Sequence, residues 1–172
     1  MSLTPSPAPD MTGFIALSSV LTGIAATTLL PSFPTNDVHQ QILDAAWADD
    51  PAALTELLAA FTASTQRYPN DPAMVLRTLL VSGDSPIALM AKSIILAWYS
   101  GAWYATAGLY PAKTRSVPRV LSAVAYEQGY MWKVAQAHAM GSADYPFGYW
   151  NSPPPSLQDY TGQEAIQRGQ GQ

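Results

Sequence analysis

Residues 49–64, DDPAALTELLAAFTAS, set Leu54, Leu57, Leu58 and Phe61 at the i, i+3, i+4, i+7 spacing of one helical face. Asp50 stands where an N-cap is wanted. Pro51 stands at the first helical position, where its missing N–H breaks no intrahelical bond. The same start recurs in NDPAMVLRTLL at Asp71 and Pro72, and in DSPIALM, where Pro86 follows Asp84. Three acid-near-proline starts so close together predict short helices in tight succession. Their spacing has no fixed period, so they are not a repeat.

The rest of the chain mostly reads as helix too. From Met11 the residues FIALSSVL suit a helix that Asp10 or Thr12 caps and Gly23 ends. PSFP at 31–34 breaks the chain. In NDVHQQILDAAWA (36–48), Val38, Ile42, Ala45 and Ala46 form a stripe behind a cap at Asn36 or Asp37. A helix starting near Ser85 runs into IILAWYSGAWY (94–104). Ile87, Met90, Ala91, Ile94, Ile95 and Trp98 line one side of it; Leu89, Leu96, Tyr99 and Trp103 line the other, interrupted by Lys92 and Ser93. A helix apolar on nearly every side is a buried one, so this is the expected central helix. After Pro111 a basic loop, KTRSVPR, leads to a further helix expected from about Val117, with Val120, Leu121 and Val124 as its stripe and Gly129 weakening it. From HAMGSADYPFGYWNSPPP onward no period is visible.

These patterns predict an all-α fold: a single compact domain of roughly six helices with an extended, Pro-rich C-terminal strap. The expected boundaries are a flexible arm at 1–10, the helical domain at 11–142, and strap and polar tail at 143–172.

Composition narrows the function classes. Charged residues are 12% of the chain and apolar residues 48%, so a core is affordable and disorder throughout is excluded. The first base is Arg67; residues 1–66 carry six acids and no base. With a net charge of −4 and scattered bases, the chain lacks the basic stripe that phosphate backbones require. No Cys is present, which excludes disulfides, zinc thiolates and thiol nucleophiles. Neither a positive n-region nor an Arg-Arg pair occurs before Arg67, so no secretory or twin-arginine signal is expected in this sequence. Two uncharged stretches, 14–30 and 93–112, have the length of membrane spans. Ser, Thr and Gly dilute both, and the aromatics of the second sit mid-segment rather than at two interfaces.

Candidate chemistry is thin. The two histidines, His39 and His138, fall in no ligand motif, so no metal site is expected. Asp49 and Asp50 precede Pro51, and a helix start explains them better than acid–base work. Tyr126 and Glu127 are adjacent and point apart on a helix. No nucleophile elbow and no G-x-G-x-x-G are present, so no catalytic or cofactor-binding residue is assigned.

Four segments occur in one order: LSSVLTG (17–23), ILAWYSG (95–101), AYEQGYMW (125–132) and YWNSPPP (149–155). In these the chain resembles the small-subunit family of membrane-bound FAD-dependent sorbitol, fructose and glucose dehydrogenase complexes. The resemblance covers about residues 13–155, and AWYSG is its most specific piece. It implies an accessory subunit without cofactor or catalytic residues. Its partner would be a large flavoprotein of the glucose-methanol-choline type, which holds FAD and oxidises the sugar. A multihaem cytochrome c subunit would carry the electrons onward through haem c. The family's small subunit binds the flavoprotein, helps it mature and typically carries a twin-arginine signal that exports the pair. This implies the periplasmic face of the inner membrane, and the absent signal is where the sequence departs from the family. On this reading the aromatic residues Trp98, Tyr99, Trp103, Tyr104, Tyr126, Trp132, Tyr149 and Trp150 are the expected partner interface, and the strap from Tyr145 to Pro155 lies along the partner. The alternatives are a helical adaptor or chaperone with another client, and a small membrane-embedded subunit.

Overall fold

The computed structural model describes residues 9–31, 34–109, 117–135 and 137. Asp10 opens the first helix, α1 (Met11–Thr22), by accepting a hydrogen bond from the Gly13 N–H at 3.1 Å. Gly23 ends it in the left-handed region, at φ 73°. After the short α2 (Ala26–Leu29) the chain enters α3 (Val38–Asp49). Asp37 holds the N-cap position without a capping bond of its own. It is the Asn36 side chain that accepts from the Val38 N–H, at 3.1 Å.

The proline starts behave as their chemistry requires. Asp50 accepts from Ala53 N at the head of α4 (Pro51–Arg67), and Asp71 from Met74 N at the head of α5 (Pro72–Leu80). At α6 (Pro86–Ser100) the cap is Ser85, which accepts from Ala88 N, and not the acid Asp84.

The fold is all-α. Helix α6 is its centre and packs against α1, α3, α4 and α5. Met90, Ala91 and Ile94 on its inner face are fully buried. They meet Phe14 and Leu17 of α1, Ile42 of α3, and Leu54 and Leu57 of α4 in one core. The expected stripe holds for Met90, Ala91, Ile94 and Trp98, while Ile87 and Ile95 are half-buried at its edges.

One expectation fails locally, the helix after the basic loop together with its stripe. The helix expected from about Val117 begins only at α7 (Ala123–Glu127), capped by Ser122. Before it, Arg119–Val120 forms a strand antiparallel to Ala102–Trp103, with Ala102 opposite Val120 and Trp103 opposite Arg119. Pro118 keeps only Val117 out of the helical region; it is the pairing of Arg119–Val120 with Ala102–Trp103 that takes the following residues out of a helix. Val120 and Val124 are consequently exposed, and only Leu121 of the expected stripe is half-buried. The chain then turns at Gly129 into α8 (Tyr130–Val134), which packs on α6.

Both uncharged stretches are broken by glycine, at Gly23 and Gly101. Among the described residues no helix is long and apolar enough to cross a membrane. The strap and tail at 143–172 and most of the expected arm lie outside the described residues.

Candidate functional site

Gly101 ends α6 at φ 69°, and its N–H donates to the Ala97 carbonyl. The position has no room for a side chain: a Cβ there would overlap the Ala125 carbonyl of α7. Gly129 is the counterpart on the other side, where a Cβ would lie 2.7 Å from the Tyr99 carbonyl oxygen. Two glycines thus let the α7–α8 backbone lie directly on the end of α6. The Leu121 N–H, donating to the Gly101 carbonyl at 3.0 Å, ties the same corner from below.

Tyr99 fixes the third party. Its hydroxyl donates to the Thr22 carbonyl at 3.0 Å, bridging α6 to the last turn of α1. Its ring meets Tyr130 edge-on, with centroids 6.5 Å apart. Segments 17–23, 95–101 and 125–132, far apart in sequence, therefore meet at one corner. Beside it Tyr126 and Trp132 pack edge-to-face at 5.3 Å, and the Trp132 indole N–H donates to the Tyr126 carbonyl at 2.8 Å.

A cleft of about 190 Å³ opens next to this corner, between the α2–α3 connection and α7–α8. Its wall includes Asn36, His39, Trp98, Gln128, Tyr130 and Lys133. Asn36 donates to the Gln128 side-chain carbonyl at 2.7 Å, closing the cleft between two stretches 92 residues apart. The Lys133 ammonium lies 4.7 Å from the centroid of the Tyr130 ring, a cation–π contact. Burial pushes the Lys133 ammonium below its ordinary pKa. Burial raises the Tyr130 phenol, with the nearby Tyr99 as a second cause, and burial also raises Tyr99.

The expected interface aromatics divide. Trp98 and Trp103 are each only 5% exposed and belong to the core, so the free chain offers little of either to a partner. Each indole nitrogen is buried and unpartnered among the described residues. Trp103 lies in the two-residue strand rather than on the outer side of the helix. Tyr99, Tyr104, Tyr126 and Trp132 are half-buried, and all but Tyr104 stand at the corner. The Tyr104 carbonyl accepts from the buried Ser93 hydroxyl at 2.7 Å. Tyr149 and Trp150 lie outside the described residues, as does His138. Asp49 and Asp50 do structural work: Asp50 caps α4, and Asp49 accepts from the Thr106 N–H at 2.9 Å. Among the described residues no three of His, Asp and Glu gather as a metal site would need.

The sequence reading did not single out Asn36 with Gln128, or Lys133 with Tyr130, as partners. Nothing local marks the first pair. The second lies three apart on a helix, a spacing that permits contact without announcing it.

Comparison with protein-family models, with curated proteins and with solved structures returns no match.

Proposed function

We propose that this chain is the non-catalytic small subunit of an FAD-dependent sugar or polyol dehydrogenase complex. In this reading it binds and stabilises a flavoprotein of the glucose-methanol-choline type, assists its maturation or export, and stands at the periplasmic face of the inner membrane as part of the complex. FAD belongs to the partner, and a multihaem cytochrome c is a further partner.

The observation that carries the reading is where apolar surface is left uncovered. Of the six large apolar side chains that are exposed among the described residues, five (Val117, Val120, Val124, Met131 and Val134) fall between 117 and 134. That stretch contains AYEQGYMW, one of the segments in which the chain resembles the small-subunit family. Scattered single apolar residues on a surface need no explanation, but five of six within eighteen residues of the chain support a partner surface there. The convergence of three resembling segments at one corner adds support, because it gives their unusual glycines and aromatics a common structural task beside that surface.

The test is an affinity capture of the tagged chain from its native host, followed by an absorbance spectrum of what accompanies it. The reading expects a flavoprotein with oxidised-flavin bands, and haem c bands if the cytochrome is also held. A colourless chain that returns alone, or with a client lacking flavin, overturns it in favour of a helical adaptor.

A further inference from the structure

The cleft beside the corner has a chemistry of its own, independent of the docking reading. Among the described residues no Asp or Glu lines it, while Lys133 and His39 do. This is unexpected in a chain whose acids outnumber its Lys and Arg twelve to eight. Lys133 is half-buried and stacked over Tyr130. Burial pushes its ammonium below the ordinary pKa. Among the described residues no carboxylate lines the cleft to pair with this half-buried cation, and an incoming anion relieves the cost of its burial.

Size and wall define the anion further. A volume of about 190 Å³ is the share of about six liquid waters, at ~30 Å³ each. It is smaller than the clefts that hold drug-sized ligands, which begin at about 300 Å³. Leu29, Val38 and Trp98 supply apolar wall, and of the polar residues that also line it, Thr28, Thr35, Asn36 and Gln128 among them, only Lys133 and His39 can carry positive charge. We infer that the cleft binds a short-chain carboxylate of about six non-hydrogen atoms, its anionic end drawn to Lys133 and His39 and its alkyl end received by Leu29, Val38 and Trp98. The Asn36–Gln128 hydrogen bond joins the two walls.

The probe is butyrate, added to the ¹⁵N-labelled full chain at constant ionic strength. The signals followed are the Trp98 indole N–H, assigned by its loss in Trp98→Phe, and the backbone amides of Lys133 and His39. Butyramide, the same size without charge, is the control. The expected result is a saturable shift confined to the cleft, with Kd on the order of 1 mM for so small a ligand, and none with butyramide. Lys133→Met keeps the stem and removes the charge, and is expected to weaken binding at least about tenfold. His39→Gln, a milder change, is expected to weaken it less. Circular dichroism confirms that each variant is folded. A shift that never saturates, one equal for butyramide, or one that survives in folded Lys133→Met overturns the assignment.

Discussion

Gly101 and Ala125 touch backbone to backbone: the space a side chain on Gly101 would need is filled by the Ala125 carbonyl. Gly23 has almost the same left-handed backbone, at φ 73° against 69°, yet nothing lies within 4 Å of where its Cβ would be. The pair separates two effects that usually come together. Gly23→Ala is expected to cost about 1–2 kcal/mol, the conformational penalty alone. Gly101→Ala adds overpacking against a backbone that cannot yield, for a total of about 3 kcal/mol or more. Urea unfolding of both variants checks this, and equal losses would mean that α7 does not rest on α6 as described.

Tyr99→Phe removes the hydroxyl that donates to Thr22 and leaves the ring in place. The expected loss is about 0.5–1.5 kcal/mol. Because the bond joins α1 to α6, hydrogen exchange should also quicken in the last turn of α1. A loss in stability without that local change would mean the hydroxyl acts elsewhere.

The start of α6 can be assigned by mutation. Ser85→Ala removes the cap on Ala88 N and is expected to cost about 1 kcal/mol. Asp84→Ala alters an exposed side chain beside it and is expected to stay within about 0.5 kcal/mol of the parent. The reverse order would return the cap to the acid.

Lys133 and the two tyrosines make opposite contributions in alkali. Burial holds the Lys133 pKa below the ordinary 10.5, so below that value the unfolded chain binds more protons than the native one, and stability from this group rises with pH towards 10.5. Tyr99 and Tyr130 are raised above the ordinary 10.0. Their stability is fully present below pH 10.0 and is lost as pH climbs through the raised native values. Thermal unfolding against pH should therefore lose its alkaline rise in Lys133→Met. In Tyr130→Phe the fall above pH 10 should become shallower. A Lys133→Met profile parallel to that of the parent would contradict the burial of the ammonium.

Met131→Glu and Val134→Glu test the uncovered apolar stretch. Both positions are exposed in the chain alone, at 42% and 51%, so each change is expected to leave its stability within about 0.5 kcal/mol. If the stretch binds the flavoprotein, capture should fall at least about tenfold for each. Undiminished capture by both variants would move the partner surface elsewhere. Deletion of residues 145–172 addresses the strap separately: capture is expected to weaken, and unchanged capture counts against a strap along the partner.

Much of the helical scaffold was legible because its signals are local. A cap, a first-turn proline and an apolar face all lie within one or two turns, as at Asp50, Pro51, Leu54 and Leu57, so the starts of α4 and α5 follow from neighbouring residues alone. Where two local signals adjoin, the sequence does not choose between them. Asp84 and Ser85 are both good caps, and the choice fell to the residue whose side chain reaches Ala88 N. At Val117–Leu121 the apolar spacing points to a helix, but Arg119–Val120 pairs with Ala102–Trp103 as a short strand instead.

The sequence alone determined that the chain is helical, that the helix through Ile94 and Trp98 lies at its centre, and that Gly101 interrupts the aromatic run. Each follows from periodicity and backbone freedom within a few residues. Only the tertiary structure decided that Trp98 and Trp103 face inward, that Tyr99 reaches back to Thr22, and that Asn36, Gln128, His39 and Lys133 border one cleft. Those facts depend on how helices far apart in sequence are set against one another. That arrangement is fixed by the sum of many weak contacts across the core, with no single residue or spacing to announce it.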